Sequence, residues 1–476
     1  MMGRLLADPW PRGTGVLLAA AAVLRLALLV WIGPIVYSDT AQYLEGARSI
    51  LTQGTFSVVD RASGLPSPIS GRMPLYSAWI ALCMALAGEA YAWAVAASGA
   101  AVSVATVALT VRLAAWVAGA RAGLVAGAIF AVMPTSLEYG ISLLPDAAFA
   151  FAMTLSVAAG FLFLAAPGAA PAASWGGTVA LGAFVKPILK FYWLPAGALV
   201  FWRARRAPIV LAFCCAPVLA LSLWMGRNWA LGGHAGLDAY RGVNLIWPHI
   251  DLVLASTDEE RRQDALLARV RDIVARHTNG SDAFNETRRL LGLSMPEADR
   301  LFTRLALEVF QRQPLRAAAR MGKNAFRFFL SPAAVQYLAM RSGLAGSEMG
   351  EPLADLVRSG RWFPVAVNLG ARVPLVVLFL VLAPWGAGLL WWQARARPAA
   401  VLLAGTVLYH AALCALVDGN DRYRMAVEPV MLALAMVPLA RWLRWLASES
   451  PEIDAVGLSA AVEASADVAD HAAPVA

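Results

Sequence analysis

The chain has 476 residues, 59% of them hydrophobic and only 15% charged, with a formal net charge of +8. Soluble domains carry roughly a quarter charged residues, so this composition excludes an ordinary soluble globular protein. Long apolar runs recur near the ~20 residues needed to cross a hydrocarbon core, which indicates an all-α polytopic membrane protein.

In chain order, Arg4 and Arg12 precede an apolar run from Gly15 to Ile32. Arg25 interrupts that run and no small-residue cleavage site follows it, so the segment reads as a retained signal anchor with a cytoplasmic N-terminus. Directly beyond it lies Val36-Tyr37-Ser38-Asp39-Thr40-Ala41-Gln42-Tyr43, which sets one carboxylate at the membrane interface. An outer loop, 33–93, follows. It includes an apolar stretch from Pro74 to Leu86 that is too short to cross and is expected to lie along the interface. Ala94 to Ala115, Ala122 to Leu137 and Pro145 to Ala166 are expected to cross in turn.

The stretch from Trp175 to Trp202 is too long for one span and too short for two. The charged turn Arg203-Ala204-Arg205-Arg206 belongs on the inner side, which requires two short helices meeting near Lys186-Pro187. Broken helices at membrane depth are tolerated where they line a cavity. Ala207 to Gly226 then leads outward to a polar insert, and Val373 to Trp392, Ala399 to Val417 and Met425 to Leu443 bring the expected count to about ten. Arg395, Arg397, Arg441 and Arg444 fall on the inner side of this scheme, as the positive-inside rule requires. Cys83, Cys214, Cys215 and Cys414 show neither a disulfide framework nor metal-ligand spacing.

The insert is long enough to escape the charge rule and reads as a mostly helical extracytoplasmic domain. Ser256-Thr257-Asp258-Glu259 and Ser294-Met295-Pro296-Glu297 both have capping-box form ahead of apolar residues at helical spacing. A further helix, roughly Pro314 to Leu330, puts Arg316, Arg320, Lys323 and Arg327 on one face. That face suits anionic lipid headgroups or a lipid substrate's phosphate, and it is no evidence for nucleic acid. His234, His249 and His277 lack ligand spacing. The expected organisation is therefore a transmembrane catalytic module over 1–227, the outer domain over 228–363, further spans over 364–446 and a disordered acidic cytoplasmic tail over 447–476.

These residues, in order, carry a family resemblance. Asp39-x-x-x-Tyr43-x-x-x-Ala47, Arg72-Met73-Pro74-Leu75-Tyr76, Pro134-x-x-x-Glu138-Tyr139 and Leu143-Leu144-Pro145-Asp146 are followed by Leu181-Gly182-Ala183-Phe184-Val185-Lys186-Pro187, Trp224-Met225-Gly226-Arg227-Asn228 and Arg422-Tyr423-Arg424-Met425-Ala426-Val427-Glu428-Pro429. The pattern resembles the GT-C superfamily of lipid-phosphate-sugar-dependent glycosyltransferases. The branch is the bacterial one of protein O-mannosyltransferases and of the aminoarabinose and galacturonic acid transferases of lipid A. Two departures stand out: Thr40 follows Asp39 where many relatives have a second acidic residue, and Arg72 replaces a frequent Lys.

The resemblance implies a bacterial inner-membrane enzyme that moves a sugar, with inversion, from a polyprenyl-phosphate donor to a hydroxyl on a lipid, glycan or protein. Polyprenyl phosphate leaves as a stable anion, so the chemistry asks for a base and for cations rather than a general acid. Asp39 suits the base, with Glu138 and Asp146 as the other catalytic candidates. Arg72, Arg422, Arg424 and Lys186 suit the phosphate, and Tyr43, Tyr76 and Tyr423 suit substrate contact. No metal ligand set is recognisable, while the departure at Thr40 leaves a divalent metal requirement open. Bland readings stand beside these: Asp146 also fits a helix start, and Arg72 also fits a headgroup anchor. A secondary transporter or flippase is the alternative function, but it calls for midplane charges and an internal repeat, and no repeat is visible.

Overall fold

A computed structural model of the chain describes residues 10–68, 71–254, 265–277 and 279–446. The expected capping box at Ser256 and the acidic tail lie outside these. Six helices among the described residues are long and apolar enough to cross a membrane, or seven if the bent pair Ala120–Val132 and Pro134–Ile141 counts as one span. The protein is a multi-pass membrane protein. The expected count of ten is not reached on that measure, for a physical reason: several of its members are broken or short.

The first helix, α1 (Thr14–Ile32), ends at Gly33 with φ +80, a backbone region open to glycine. The amphipathic α2 (Thr40–Gln53) and a two-stranded hairpin, Val58–Val59 with Pro66–Ser67, lead to α3 (Pro74–Ala87) and α4 (Tyr91–Ala118). The last two form one apolar run of 45 residues, so the stretch from Pro74 continues into a span. Next come α5 (Ala120–Val132) and α6 (Pro134–Glu138), bent by 61° at Met133-Pro134, where proline removes a helical donor. After α7 (Asp146–Ala165), α8 (Ala169–Val185) stops at Lys186-Pro187, and a short 3₁₀ turn leads to α9 (Trp193–Ala204). The break expected there is present.

From α10 (Ala207–Gly232) the chain enters α11 (Arg241–Ile246), α12 (Ala265–Ala275), α13 (Gly280–Leu291) and α14 (Met295–Arg312). Ser294 and Glu297 close the expected capping box at the start of α14. A separate core from Ala239 to Ala317 holds this region together, centred on Phe284, Phe302 and Leu305. The basic helix α15 (Pro314–Leu330) and α16 (Ala333–Arg341) return the chain to α17 (Trp362–Leu375). That helix runs through a π-helical stretch, Val376–Leu382, into α18 (Ala383–Trp391).

The last elements are α19 (Arg397–Val417), one turn α20 (Asp421–Arg424) and α21 (Glu428–Leu446). Residues 424–438 are buried without interruption, which marks α21 as the central helix, apolar all round. Arg25, fully buried in α1, pins the bend between α5 and α6 by donating to the Ala131 carbonyl, Ser103 and Ser136. Its charge is therefore structural in this fold, as an intramembrane arginine requires internal partners.

Candidate active site

Two loops bring the early acidic residues together. Ile35 forms a parallel bridge with Ser142, exchanging backbone hydrogen bonds with Ile141 and Leu143. The Thr40 hydroxyl donates to the Leu143 carbonyl at 3.1 Å. This short ladder registers the segment before α2 against the segment before α7, so Asp39 and Asp146 both stand at helix starts, where the backbone dipole favours negative charge.

Three cations from distant parts of the chain join them. Arg72 donates Nη2 to Asp39 Oδ1 at 2.6 Å and Nε to Gln42 at 2.9 Å. Arg422, on α20, donates Nη1 to Asp39 Oδ2 at 2.7 Å and Nε to Asp146 Oδ2 at 3.0 Å. Lys186, at the break after α8, donates to Asp146 Oδ1 at 2.5 Å. The result is an alternating row, Arg72, Asp39, Arg422, Asp146, Lys186, with three positive and two negative charges. One positive charge in it is uncompensated, which suits a row that receives an anion.

Aromatic residues frame the row. The Arg72 guanidinium lies 5.3 Å from the Tyr43 ring centre and the Lys186 ammonium 4.9 Å from that of Tyr423. Tyr76 meets Tyr43 edge to face at 5.3 Å. Asp146 is buried, whereas the side chain of Asp39 is 29% exposed. Burial alone would raise the Asp39 pKa, but Arg72 and Arg422 outweigh it and hold the carboxyl well below the usual carboxylate range. Burial likewise works against the charge on Arg422, yet Asp146 and Asp39 keep it firmly protonated.

Local packing fixes the two arginines. A Cβ at Gly419, just before α20, would fall 1.6 Å from the Asn324 carbonyl oxygen, so only glycine lets that turn sit against α15. Gly71 packs in the same way beneath the Tyr240 ring, 2.6 Å from where its Cβ would be. Arg227 donates to the carbonyls of Phe56 and Pro68, each at 2.5 Å, and Arg288 grips Asp60 with two hydrogen bonds. The loop that carries Arg72 is thus tied to the region around α11 and α13.

Two of the expected site residues stand apart from the row. Arg424 points the other way from Arg422, as residues two apart on a helix do. It donates to Glu428 at 2.8 Å and to the carbonyls of Phe328, Phe329 and Ser331 at 3.0–3.2 Å, and it is 2% exposed. Its guanidinium is committed to holding the end of α15, apart from the row. Glu138 is also buried outside the row and accepts a hydrogen bond from the Tyr37 hydroxyl.

Tyr37 and Gln42 were not singled out in the sequence, although each lies within three residues of Asp39. The buried His410 was missed too: it bonds the Tyr423 carbonyl at 2.9 Å and so steadies α20. Nothing local in the sequence marks it.

The donor set does not suit a divalent metal. Both carboxylates of the row are already occupied by side-chain cations. No group of three or more His, Cys, Asp or Glu among the described residues is placed to hold a metal ion.

An apolar groove of about 610 Å³ opens beside the row. Its lining includes Tyr76, Leu144, Ala147 and Val185, near neighbours in sequence of Arg72, Asp146 and Lys186, and it extends to Trp79 and Phe151.

No family profile matches the sequence, and no curated protein matches it. Among solved structures, the chain is similar to the archaeal oligosaccharyltransferase AglB from Archaeoglobus fulgidus, in complex with an inhibitory peptide and a dolichol-phosphate. The identity is 14%, with 95% of this chain and 54% of that one covered, at a TM-score of 0.44. It is also similar to ArnT from Cupriavidus metallidurans bound to undecaprenyl phosphate, at 14% identity, with 89% and 77% covered and a TM-score of 0.36. The chain spans about half the length of the archaeal enzymes it matches.

Proposed function

We propose that this protein is an inverting membrane glycosyltransferase that takes a sugar from a polyprenyl-phosphate donor and passes it to a hydroxyl acceptor on the extracytoplasmic side. The observation that carries the reading is the alternating row of three cations and two carboxylates, together with an apolar groove lined by Ala147 and Val185, the sequence neighbours of Asp146 and Lys186. A polyprenyl phosphate has the matching form, a long hydrocarbon chain ending in an anion. The chain would lie in the groove against Trp79 and Phe151, and the phosphate would meet Arg72, Arg422 and Lys186. Guanidinium forks pair bidentately with phosphoryl oxygens.

The acceptor oxygen attacks the anomeric carbon on the face opposite the phosphate. The carbon–oxygen bond to phosphate breaks, its electron pair leaves on the phosphate, and the acceptor's proton passes to Asp39. In the free protein Asp39 is a weak base because two guanidiniums hold it ionised. Arrival of the donor phosphate draws those guanidiniums toward itself, and the carboxylate regains basicity when the proton has to be taken. Phosphate contacts strengthen as charge builds on the leaving oxygen, which makes them catalytic as well as binding. Asp146, buried between Arg422 and Lys186, orients both cations. Tyr43, Tyr76 and Tyr423 supply ring faces for the cations and the donor. No step requires a metal.

The reading sets the row and residues 228–363 on the extracytoplasmic side and Arg203 and Arg395 on the cytoplasmic side. The test is to incubate the purified protein with a panel of polyprenyl-phosphate sugars and follow release of polyprenyl phosphate. Consumption of one donor, abolished by Asp39→Asn, is the expected result. Movement of lipid-linked sugar across a vesicle bilayer with no donor consumed would replace this reading with a flippase.

A further inference from the structure

The single turn α20 divides two spaces. Arg422 faces the row, while Asp421 and Arg424 line a second cleft of about 270 Å³. This cleft lies between the bend of α5 and α6 and the π-helical stretch after α17, with Val132, Pro134, Val335, Pro374 and Leu378 among its walls. π-helical turns occur often at functional sites. Three polar side chains that line the cleft already have partners. Thr135 donates to Glu428 at 2.5 Å, Asp421 accepts from the Ala334 amide at 2.5 Å, and Arg424 is committed as described.

Beyond the cleft, on two of the helices that wall it, lies a polar cluster, the notch. α6 and α16 pack side by side; Thr135 and Ala334 line the cleft, one turn further along stand Glu138 on one helix and Tyr337 on the other, and Arg341 follows a turn beyond Tyr337. Tyr37 lies among them, with its hydroxyl on Glu138, the Tyr337 ring 6.5 Å away edge-on and the Arg341 guanidinium 5.1 Å from its own ring centre. Glu138 is fully buried, and its Oε2 has no hydrogen-bond partner among the described residues. A buried carboxylate oxygen left without a donor carries a desolvation penalty that a ligand hydroxyl would remove. Tyr37 is two residues from Asp39, so a hydroxyl held here belongs beside the row.

We infer that cleft and notch together bind a lipid amphiphile, its hydrocarbon in the cleft and its hydroxyl-bearing headgroup at Glu138 and Tyr37. This rests on the glycosyl-transfer reading only in naming that amphiphile the acceptor. A peptide fits worse, because its backbone N–H and C=O groups would enter a cleft lined mostly by apolar side chains, whereas an acyl chain asks for no partner. The charge of Arg341 at the rim favours a headgroup that is neutral or anionic.

The test uses the full chain in nanodiscs and three photoreactive probes: an alkyl glucoside with a diazirine in its chain, the same chain on a phosphocholine headgroup, and a diazirine-bearing polyprenyl phosphate. The glucoside is expected to label Val132 to Thr135 and Val335 about tenfold more than the phosphocholine, the scale of one hydrogen bond. Glu138→Gln should erase that preference. Gly370→Trp should block labelling by the glucoside, since position 370 lines the cleft and a side chain there meets no neighbour within 4 Å. Equal labelling by both chains, or glucoside labelling that survives Gly370→Trp, overturns the inference, and so does displacement of the glucoside by a serine-rich peptide. Polyprenyl phosphate labelling at Trp79 and Phe151 is scored in the same samples. Its absence would sink the donor reading and leave the amphiphile site standing.

Discussion

Arg422 is the residue whose removal reaches furthest, because it alone touches both carboxylates of the row. Arg422→Met changes the charge of the row from +1 to 0, leaving Asp39 with Arg72 and Asp146 with Lys186. The side chain is 17% exposed, so its interactions are only partly screened. A unit charge ~4 Å from a phosphate oxygen, at an effective dielectric of ~20, contributes about 4 kcal/mol, or roughly three decades in rate if it is realised at the transition state. Part of that attraction already exists in the ground state, so donor affinity should fall by about one decade and the single-turnover rate by the remaining two. Arg422→Lys should recover little, since an ammonium cannot bridge two carboxylates about one guanidinium apart. The assay is rapid-quench transfer from polyprenyl-phosphate sugar, paired with equilibrium binding of polyprenyl phosphate. A folded Arg422→Met protein with rate and affinity within threefold of the parent would refute the clamp.

Other outcomes follow from the same geometry. Asp39→Asn should lower transfer by about 10²- to 10⁴-fold, the scale of a positioned base, with donor affinity retained or improved because two guanidiniums are freed for the phosphate. The acid limb of kcat should lie at higher pH than that of kcat/KM, since the free protein holds Asp39 below the carboxylate range and the bound donor releases it; superimposed limbs would contradict the release. In the free protein the same depressed pKa contributes stability that is present above the unfolded value of ~3.9 and is lost as pH falls below it, which acid titration of thermal stability reads. Transfer should survive EDTA at the parent rate, and a loss restored by magnesium or manganese would refute the cation-only account of the phosphate. Arg424→Met should destabilise by about 3–5 kcal/mol, the scale of breaking a buried ion pair, while folded material keeps its donor affinity.

Much of this was legible in the sequence because the relevant signals are local. Apolar runs gave the class, the Lys186-Pro187 pair gave the break after α8, and Ser294 with Glu297 gave the start of α14. Asp39, Arg72, Asp146, Lys186 and Arg422 were each visible as charges beside apolar segments. Their pairing was not, since Arg422 and Asp39 are 383 positions apart. Arg424 illustrates the same point. Arg422 and Arg424 look equivalent as letters around Tyr423, but a helical turn sends them to opposite sides, one toward the row and one into the end of α15. The span count failed where prolines break helices at Met133-Pro134 and Lys186-Pro187, because a hydropathy run does not show whether a short helix crosses or turns back.

The depressed basicity of Asp39 bears on how such a site would avoid wasting its donor. A carboxylate with normal basicity at an exposed mouth would activate water whenever a sugar phosphate arrived, and hydrolysis would compete with transfer. In the mechanism we propose, the base is masked by Arg72 and Arg422 until the phosphate competes for them, so basicity would follow donor binding instead of preceding it. Water then has to be excluded only during the loaded state. The notch at Tyr37 and Glu138 offers the means, because an amphiphile seated there would cover the open side of Asp39 as it presents its hydroxyl. On this logic the aromatic pair Tyr37 and Tyr337 and the row itself work as one device, joined through the two residues that separate Tyr37 from Asp39. Opening the notch with Tyr337→Ala should therefore raise the ratio of hydrolysis to transfer more than it lowers total donor consumption, measured as free sugar against glycosylated acceptor. A ratio unchanged while both rates fall together would mean that the notch only supports the fold.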